Sequence, residues 1–240
     1  MEKYHEAVDR ILKEIMTQEG EKIKNLANRI YHSFKSDGLI YAFGTGHSHM
    51  LVEELFYRAG GLVPVYPVLV SSLMLHEGAV RSSRLEKLDG YGEIIAESLD
   101  LKPNDVVMIF SNSGVNSVPV EFAMVAKRMG THVTAITSFD HANMVGARNR
   151  FGKKLHEIVD LAIDNHVPYG DAVLEINGMK VAPLSSISGI FILNCLVSEI
   201  ADLFAKSGET PPVFVSSNVE GGDKMNKKFI EKYSKLIPSL

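Results

Sequence analysis

The chain has 240 residues, 45% hydrophobic and 22% charged, the composition of a folded globular protein long enough for one sizeable α/β domain. Lys and Arg total 25 against 29 Asp and Glu, so the net charge is −4 and there is no basic field to attract nucleic acid. The start, Met1-Glu2-Lys3-Tyr4-His5, lacks the basic-then-apolar order of a secretory signal. No run of about eighteen apolar residues occurs and Cys195 has no disulfide partner, so a cytoplasmic protein with no membrane span is expected.

Residues 3 to 35 carry Val8, Ile11, Leu12, Ile15, Ile23, Leu26, Ile30 and Phe34 at the spacing of a long amphipathic helix, with Gly20 as a break. They are read as an N-terminal helical extension, residues 1–36, ahead of a domain spanning 37–240 with a helical tail. Strands and helices then alternate. A strand at Leu39 to Phe43 leads to a helix from Ser48 to Ala59, and Gly60-Gly61 precedes a second strand at Leu62 to Pro67. A polar stretch from Ser71 to Gly92 and a short helix near Glu93 to Leu99 lead into a third strand, Asp105 to Phe110. A helix from Val118 to Met129 closes on Gly130, and strands at His132 to Thr137 and Ile158 to Ile163 complete the set. Alternation at this spacing predicts right-handed crossovers and an α/β fold, a doubly wound, mainly parallel five-stranded sheet covered on both faces.

Asp164 to Val181, with Pro168, Gly170 and Gly178, reads as a loop or irregular hairpin. Pro183 to Lys206 is the longest apolar helical stretch, apolar nearly all round, and is expected in the core or at a subunit interface. A short strand-like piece at PPVFV and a closing helix follow.

Two strand ends stand out. The third strand empties into FSNSGVNS, where Ser111, Asn112, Ser113, Gly114, Asn116 and Ser117 precede a helix. Free N–H groups and the positive end of a helix dipole at one spot make an anion cradle; a turn with a serine N-cap is the plainer alternative. The first strand ends the same way in Gly44-Thr45-Gly46-His47-Ser48, so both loops are placed to converge on one ligand at the carboxyl edge of the sheet. A two-phosphate cofactor is disfavoured. His49 stands where a dinucleotide fingerprint needs its third glycine, the second strand ends in Val65-Tyr66-Pro67 without an acidic residue, and no GxxxxGK[ST] occurs. No cofactor is expected.

FGTGHSHMLVEEL together with SNSGVNSVPVEFAMVAKRMGTHVTAIT resembles a SIS (sugar isomerase) domain, a phosphosugar-binding three-layer α/β fold of flavodoxin-like plan. The resemblance covers most of residues 3 to 220, is to stand-alone phosphoheptose isomerase-like members, and is closest to an uncharacterised bacterial group. Of the family pattern SxSGx[ST], Ser111, Ser113 and Gly114 match, while Asn116 replaces the last hydroxyl and Ser117 is offered in its place. Ser48 falls on the family's phosphate-contacting serine. The resemblance therefore implies a sugar phosphate held by Gly46, His47, Ser48, Ser111, Asn112, Ser113, Asn116 and Ser117, and neutral hydroxyls and N–H groups are able to hold a dianion.

Aldose–ketose isomerisation needs a base beside the carbonyl carbon and an acid for the neighbouring oxygen. His76-Glu77 offers both a carboxylate and an imidazole, and the resemblance, whose isomerases carry a catalytic glutamate in the corresponding region, points to Glu77 as base with His76 as partner. Glu54 is the second choice, from Glu53-Glu54 on the helix after the first loop, where one of the two is placed to face the site. One position departs from the isomerases: their late-helix histidine pairs with Asn194, leaving His141 or His166 as stand-ins, the latter near Asp171 in a segment that a turn explains equally well. His47-x-His49 lacks the usual paired ligand spacing, so no metal is expected. The resulting expectation is a cytoplasmic homodimer or homotetramer that binds and isomerises a sugar phosphate. The rivals are a sensor without turnover and a lyase that cleaves the ether of an amino-sugar phosphate.

Overall fold

The computed structural model describes all residues, 1–240. Its centre is a five-stranded sheet in the order β2-β1-β3-β4-β5, built from β1 (Ile40–Gly44), β2 (Val65–Val68), β3 (Val106–Phe110), β4 (His132–Thr137) and β5 (Leu161–Asp164). Every pairing is parallel. β1 and β3 are buried at every residue, which is why their sequences are continuous apolar runs. Asp105 starts the central pair: its carboxylate accepts from the N–H of Leu39 and of Lys102, each at 2.8 Å.

Successive side chains along each strand go to opposite faces, and each face has its own core. Ile40, Ala42, Val106, Met108 and Phe110 pack beneath α1 (Glu2–Gln18), α2 (Gly20–Lys35), α3 (His49–Leu55) and α8 (Ser185–Lys206). Tyr41, Phe43, Val107 and Ile109 face α5 (Tyr91–Glu97), α6 (Ser117–Arg128) and α9 (Gly222–Tyr233). Phe43 stacks on Phe122 of α6 with ring centroids 4.2 Å apart. The remaining helices are short: α4 (Ala79–Leu85), in the polar stretch after β2, and α7 (Phe139–Met144), after β4.

The helices before β1 share the first of these cores through Ile11, Ile15, Ile23, Leu26 and Ile30, and the break between them is a corner at Glu19 rather than a kink at Gly20. α3 stops at Leu55, four residues short of the expected Ala59, because Phe56 turns extended and Tyr57 takes φ +46°. β5 begins at Leu161 rather than Ile158, since residues 155–157 form a 3₁₀ turn. The segment before α8 resolves as an antiparallel hairpin of β6 (Ala172–Ile176) and β7 (Met179–Pro183).

By length and a mean hydropathy of 1.7, α8 is apolar enough to cross a membrane, which the count of apolar runs did not anticipate. It behaves as a core helix. Ile192, Leu193, Leu196, Ile200 and Phe204 face the first core, as the core alternative expected, while Ile187 on the other side is 38% exposed in the single chain.

α5 and α6 approach closely at Gly92, where an added Cβ would stand 2.3 Å from the Val118 carbonyl oxygen. Gly92→Ala is expected to push the two helices apart at a cost of about 1–3 kcal/mol. Denaturant unfolding measures it, and a variant with wild-type stability would contradict this packing.

Candidate functional site

β1 sends its connection to one side of the sheet and β3 to the other, so the sheet order reverses between them and leaves a crevice at their carboxyl ends. A pocket of about 140 Å³ occupies that crevice. Its floor is apolar, Leu51, Phe110 and Ile136, and its walls are polar.

The first wall is the loop after β1. At Gly44 a Cβ would lie 2.7 Å from the Ser48 carbonyl oxygen, so only glycine lets residues 46–48 fold back over the strand end. His47 and Ser48 line the pocket from this turn. His49 behind them is 3% exposed, and its Nδ1–H donates to the Gly46 carbonyl at 3.1 Å, tying the turn to the start of α3. Burial pushes the His49 pKa down, so the ring is neutral near pH 7.

The second wall is the loop after β3, with Ser111 and Asn112 in the lining. Ser111 Oγ accepts from the Gly114 N–H at 3.2 Å. The backbone N–H groups of Asn112 and Ser113 have no acceptor within the chain. The Asn112 side-chain oxygen accepts from Asn165 Nδ2 at 2.8 Å, which leaves the Asn112 amide NH₂ available.

Asn165, Asp171, Ser185 and Ser186 form the third wall. Asp171 closes the start of α8. One carboxylate oxygen accepts from the N–H of Leu184 (3.0 Å) and of Ser185 (2.8 Å), and the other accepts from Ser185 Oγ (2.6 Å). Its charge is thereby stabilised by the positive end of a 22-residue helix.

The residues expected from the sequence divide into three groups. His47, Ser48, Ser111 and Asn112 meet in the pocket. Gly46, at φ +55°, shapes the turn without lining it, and Ser113 is partly exposed beside the lining with no side-chain hydrogen bond.

Asn116 and Ser117 turn away from the pocket, which narrows the expected phosphate cradle. Asn116 Nδ2 donates to Glu86 at 2.9 Å and Ser117 Oγ donates to Asp89 at 2.6 Å. The Val118 N–H, part of the helix start assigned to an anion, donates to the Glu86 carbonyl at 3.1 Å. The physical reason is the segment 86–92, which lies across the beginning of α6 and takes its free donors.

The expected acid–base groups lie outside the lining. Glu77 is 39% exposed and ion-paired with Arg81 at 2.7 Å, with His76 exposed beside it; Leu75 of the same turn comes against Gly46. Glu54, 14% exposed, pairs with Arg58 and accepts from Asn194 Nδ2 at 2.9 Å, which joins the departing position to a carboxylate. His166, at φ +53°, sits between Glu19 (3.6 Å) and Asp164 (3.7 Å) and is not paired with Asp171. His141 lies against Tyr169, and its Nδ1 accepts weakly from the Gly170 N–H at 3.4 Å. No group of three or more His, Cys, Asp or Glu side chains converges on a point that would hold a metal ion.

Sequence reasoning does not find Asn165, Ser185 and Ser186. The pair Ser185-Ser186 ahead of an apolar helical run is an N-terminus signal, but only the topology of β5 and α8 brings it to the same crevice as Ser48.

Sheet order and crevice define a doubly wound α/β protein with a polar-walled pocket at its reversal point. Residues 3–138 match the family model described as SIS domain, and the chain belongs to that family. Within it the chain is 43% identical over 242 residues to a UPF0309 protein of Geobacillus thermodenitrificans (strain NG80-2), covering 100% of this chain and 97% of that one. Among solved structures it shares its fold with a phosphoheptose isomerase from Francisella tularensis (TM-score 0.53, 14% identity, 83% of this chain and 95% of that). It also shares its fold with an E. coli CFT073 protein solved in complex with a sugar phosphate (TM-score 0.50, 15% identity, 84% and 88%).

Asp171→Ala leaves the Leu184 and Ser185 N–H groups without their acceptor and is expected to cost about 1–2 kcal/mol in denaturant unfolding. Asp171→Asn, which keeps an acceptor and tolerates the φ of +68°, should lose much less; equal losses would contradict the capping role.

A second expectation concerns Glu86, whose carboxyl is pushed above its ordinary range by burial, partly offset by the hydrogen bond from Thr45. The folded chain holds that proton more tightly than the unfolded chain. The group's stabilising contribution is therefore full below the ordinary carboxyl range and is lost as pH rises through the raised value. Glu86→Gln, neutral throughout, should gain stability relative to the wild type between about pH 4 and pH 7. Parallel unfolding curves at the two pH values would contradict it.

Proposed function

We propose that this protein binds a sugar phosphate in the crevice between β1 and β3 and isomerises it between aldose and ketose forms. The observation that carries the reading is that Ser48, Ser111 and Asn112 line one pocket, while the N–H groups of Asn112 and of Ser113 next to it have no acceptor within the chain. Hydroxyls, a primary amide and backbone donors suit a phosphate dianion, and family membership and the sugar phosphate bound by the E. coli neighbour support it. The sugar then extends toward Asn165, Ser186 and His47.

In this reading Glu77 takes the proton from the carbon beside the carbonyl while His76 protonates the carbonyl oxygen, giving an enediol. His76 then takes back the proton of the neighbouring hydroxyl as Glu77 returns its proton to the former carbonyl carbon, which leaves both groups as they began. The nearness of Leu75 to Gly46 supports a position of this pair beside the first wall, and its exposed ion pair with Arg81 costs little to open. Glu54 is the alternative base. The reading also takes the protein as a cytoplasmic homodimer or homotetramer, with the exposed side of α8 around Ile187 covered by a partner copy.

A second reading, binding without turnover, is favoured by one observation: both candidate carboxylates are engaged in ion pairs outside the pocket, and Asn194 cannot carry a proton.

Deuterium incorporation from D₂O into glucose 6-phosphate, glucosamine 6-phosphate and arabinose 5-phosphate separates the two, isomerisation predicting exchange at the carbon next to the carbonyl. Glu77→Gln should abolish exchange while leaving affinity within about twofold. Exchange unchanged in that variant removes Glu77, and binding without exchange leaves the sensor. Ser48→Ala should weaken binding of the same sugar phosphates roughly 10–100-fold, the loss of a hydrogen bond to a charged group. Wild-type affinity in Ser48→Ala would remove the first wall from the phosphate site.

A further inference from the structure

The geometry points to Glu86 as the positioning residue of the pocket, a single side chain that holds the loop after β1 and the loop after β3 at a fixed distance from one another. This assignment rests on the phosphosugar reading for what is positioned, and on the hydrogen bonds alone for the positioning itself.

One Glu86 oxygen accepts from Thr45 Oγ1 at 2.9 Å and the other from Asn116 Nδ2, also at 2.9 Å. Thr45 is 7% exposed and immediately precedes the turn that carries His47 and Ser48. Asn116 is 7% exposed and ends the loop that begins with Ser111 and Asn112. The carboxylate thus touches the two loops that carry the first and second walls, and neither it nor its two partners lines the pocket.

Its own position is fixed. The Glu86 N–H donates to the Ser82 carbonyl at 3.0 Å, and Ser82, 1% exposed, is tied through Oγ to the Leu73 carbonyl at 2.7 Å. The Glu86 carbonyl accepts from Val118, so main chain and side chain of one residue grip the second loop and the helix that follows it. A ligand that must touch Ser48 and Ser111 at once is sensitive to the spacing of the two loops, because donors misplaced by an ångström lose most of a hydrogen bond.

A carboxylate suits the task because it offers two acceptors and no donor to the Thr45 hydroxyl and the Asn116 amide. Asn116 Oδ1 is buried without a partner, so glutamine at position 86 can accept from Thr45 and, after the Asn116 amide turns over, donate to that oxygen. Alanine can do neither.

The experiment is amide hydrogen exchange on the full chain, with arabinose 5-phosphate and glucosamine 6-phosphate titrated in parallel. Glu86→Ala is expected to raise exchange in residues 44–48 and 111–117 together and to weaken binding roughly tenfold, a loss of the size expected for hydrogen bonds to a charged group. Glu86→Gln is expected to restore both readouts to within about threefold of the wild type. If Glu86→Ala does not fold, Thr45→Val removes one of the two bonds and should raise exchange in 44–48 with a smaller loss of affinity. Exchange that rises in only one loop in Glu86→Ala, or wild-type exchange and affinity in Thr45→Val, overturns the assignment. A wild-type chain that binds neither sugar phosphate, with the two loops still loosening together in Glu86→Ala, removes the ligand reading and leaves the positioning intact.

Discussion

The pairing of Gly44 with Phe110 across the central parallel ladder decides where everything else stands. Neighbouring parallel strands lie about 4.8 Å apart. Two chains that end opposite one another therefore release their loops side by side, at the same height and on the same edge. Thr45 and Ser111 are the next residues, and the strand order reverses at this pair, so no helix crosses above it. The pocket is the space that this register leaves open, and its floor, Phe110 and Ile136, is the last apolar layer of the sheet.

What keeps the crevice polar but rigid is a set of carboxylates behind it. Glu86 and Asp89 take the side chains of Thr45, Asn116 and Ser117, and Glu121, fully buried in α6, accepts from the Gly90 and Gly92 N–H groups. Asp171 does the same for the start of α8. Each satisfies main-chain or side-chain donors that would otherwise be left unpaired at a helix or loop end. The N–H groups of Asn112 and Ser113, which have no acceptor within the chain, belong to the loop that Glu86 holds through Asn116. No Lys or Arg lines the pocket, and a site that binds an anion through uncharged donors needs those donors held in advance.

Much of this was legible in the sequence. Five apolar runs separated by helical patterns gave the parallel sheet, and the small polar residues after Phe43 and Phe110 marked the two loops before any pairing was known. Ser117 and Asn116 were misplaced because a hydroxyl and an amide at a helix start look alike whether they face a ligand or a neighbouring segment. Only the path of residues 86–92 decides between these, and that path is a long-range contact with no local signature. Asn165 and Ser185 escaped notice for the same reason, each being an ordinary polar residue at an element end until β5 and α8 bring them to one wall. The end of α3 at Leu55 was unreadable because Phe56 and Tyr57 fit a helix by composition, whereas in the fold Phe56 is extended and Tyr57 is left-handed, with its ring 5.1 Å from that of Phe214, a contact made from the far end of the chain.

Amide chemical-shift mapping of the ¹⁵N-labelled chain during a titration with arabinose 5-phosphate reads the central claim at the atoms it names. The account predicts that the Asn112 and Ser113 amides move most, with Ser48 following at the same half-saturation, while amides on α9 and the β6–β7 hairpin turn stay in place. Saturable shifts confined to another face of the molecule, or none at Asn112 and Ser113 at millimolar ligand, would contradict it.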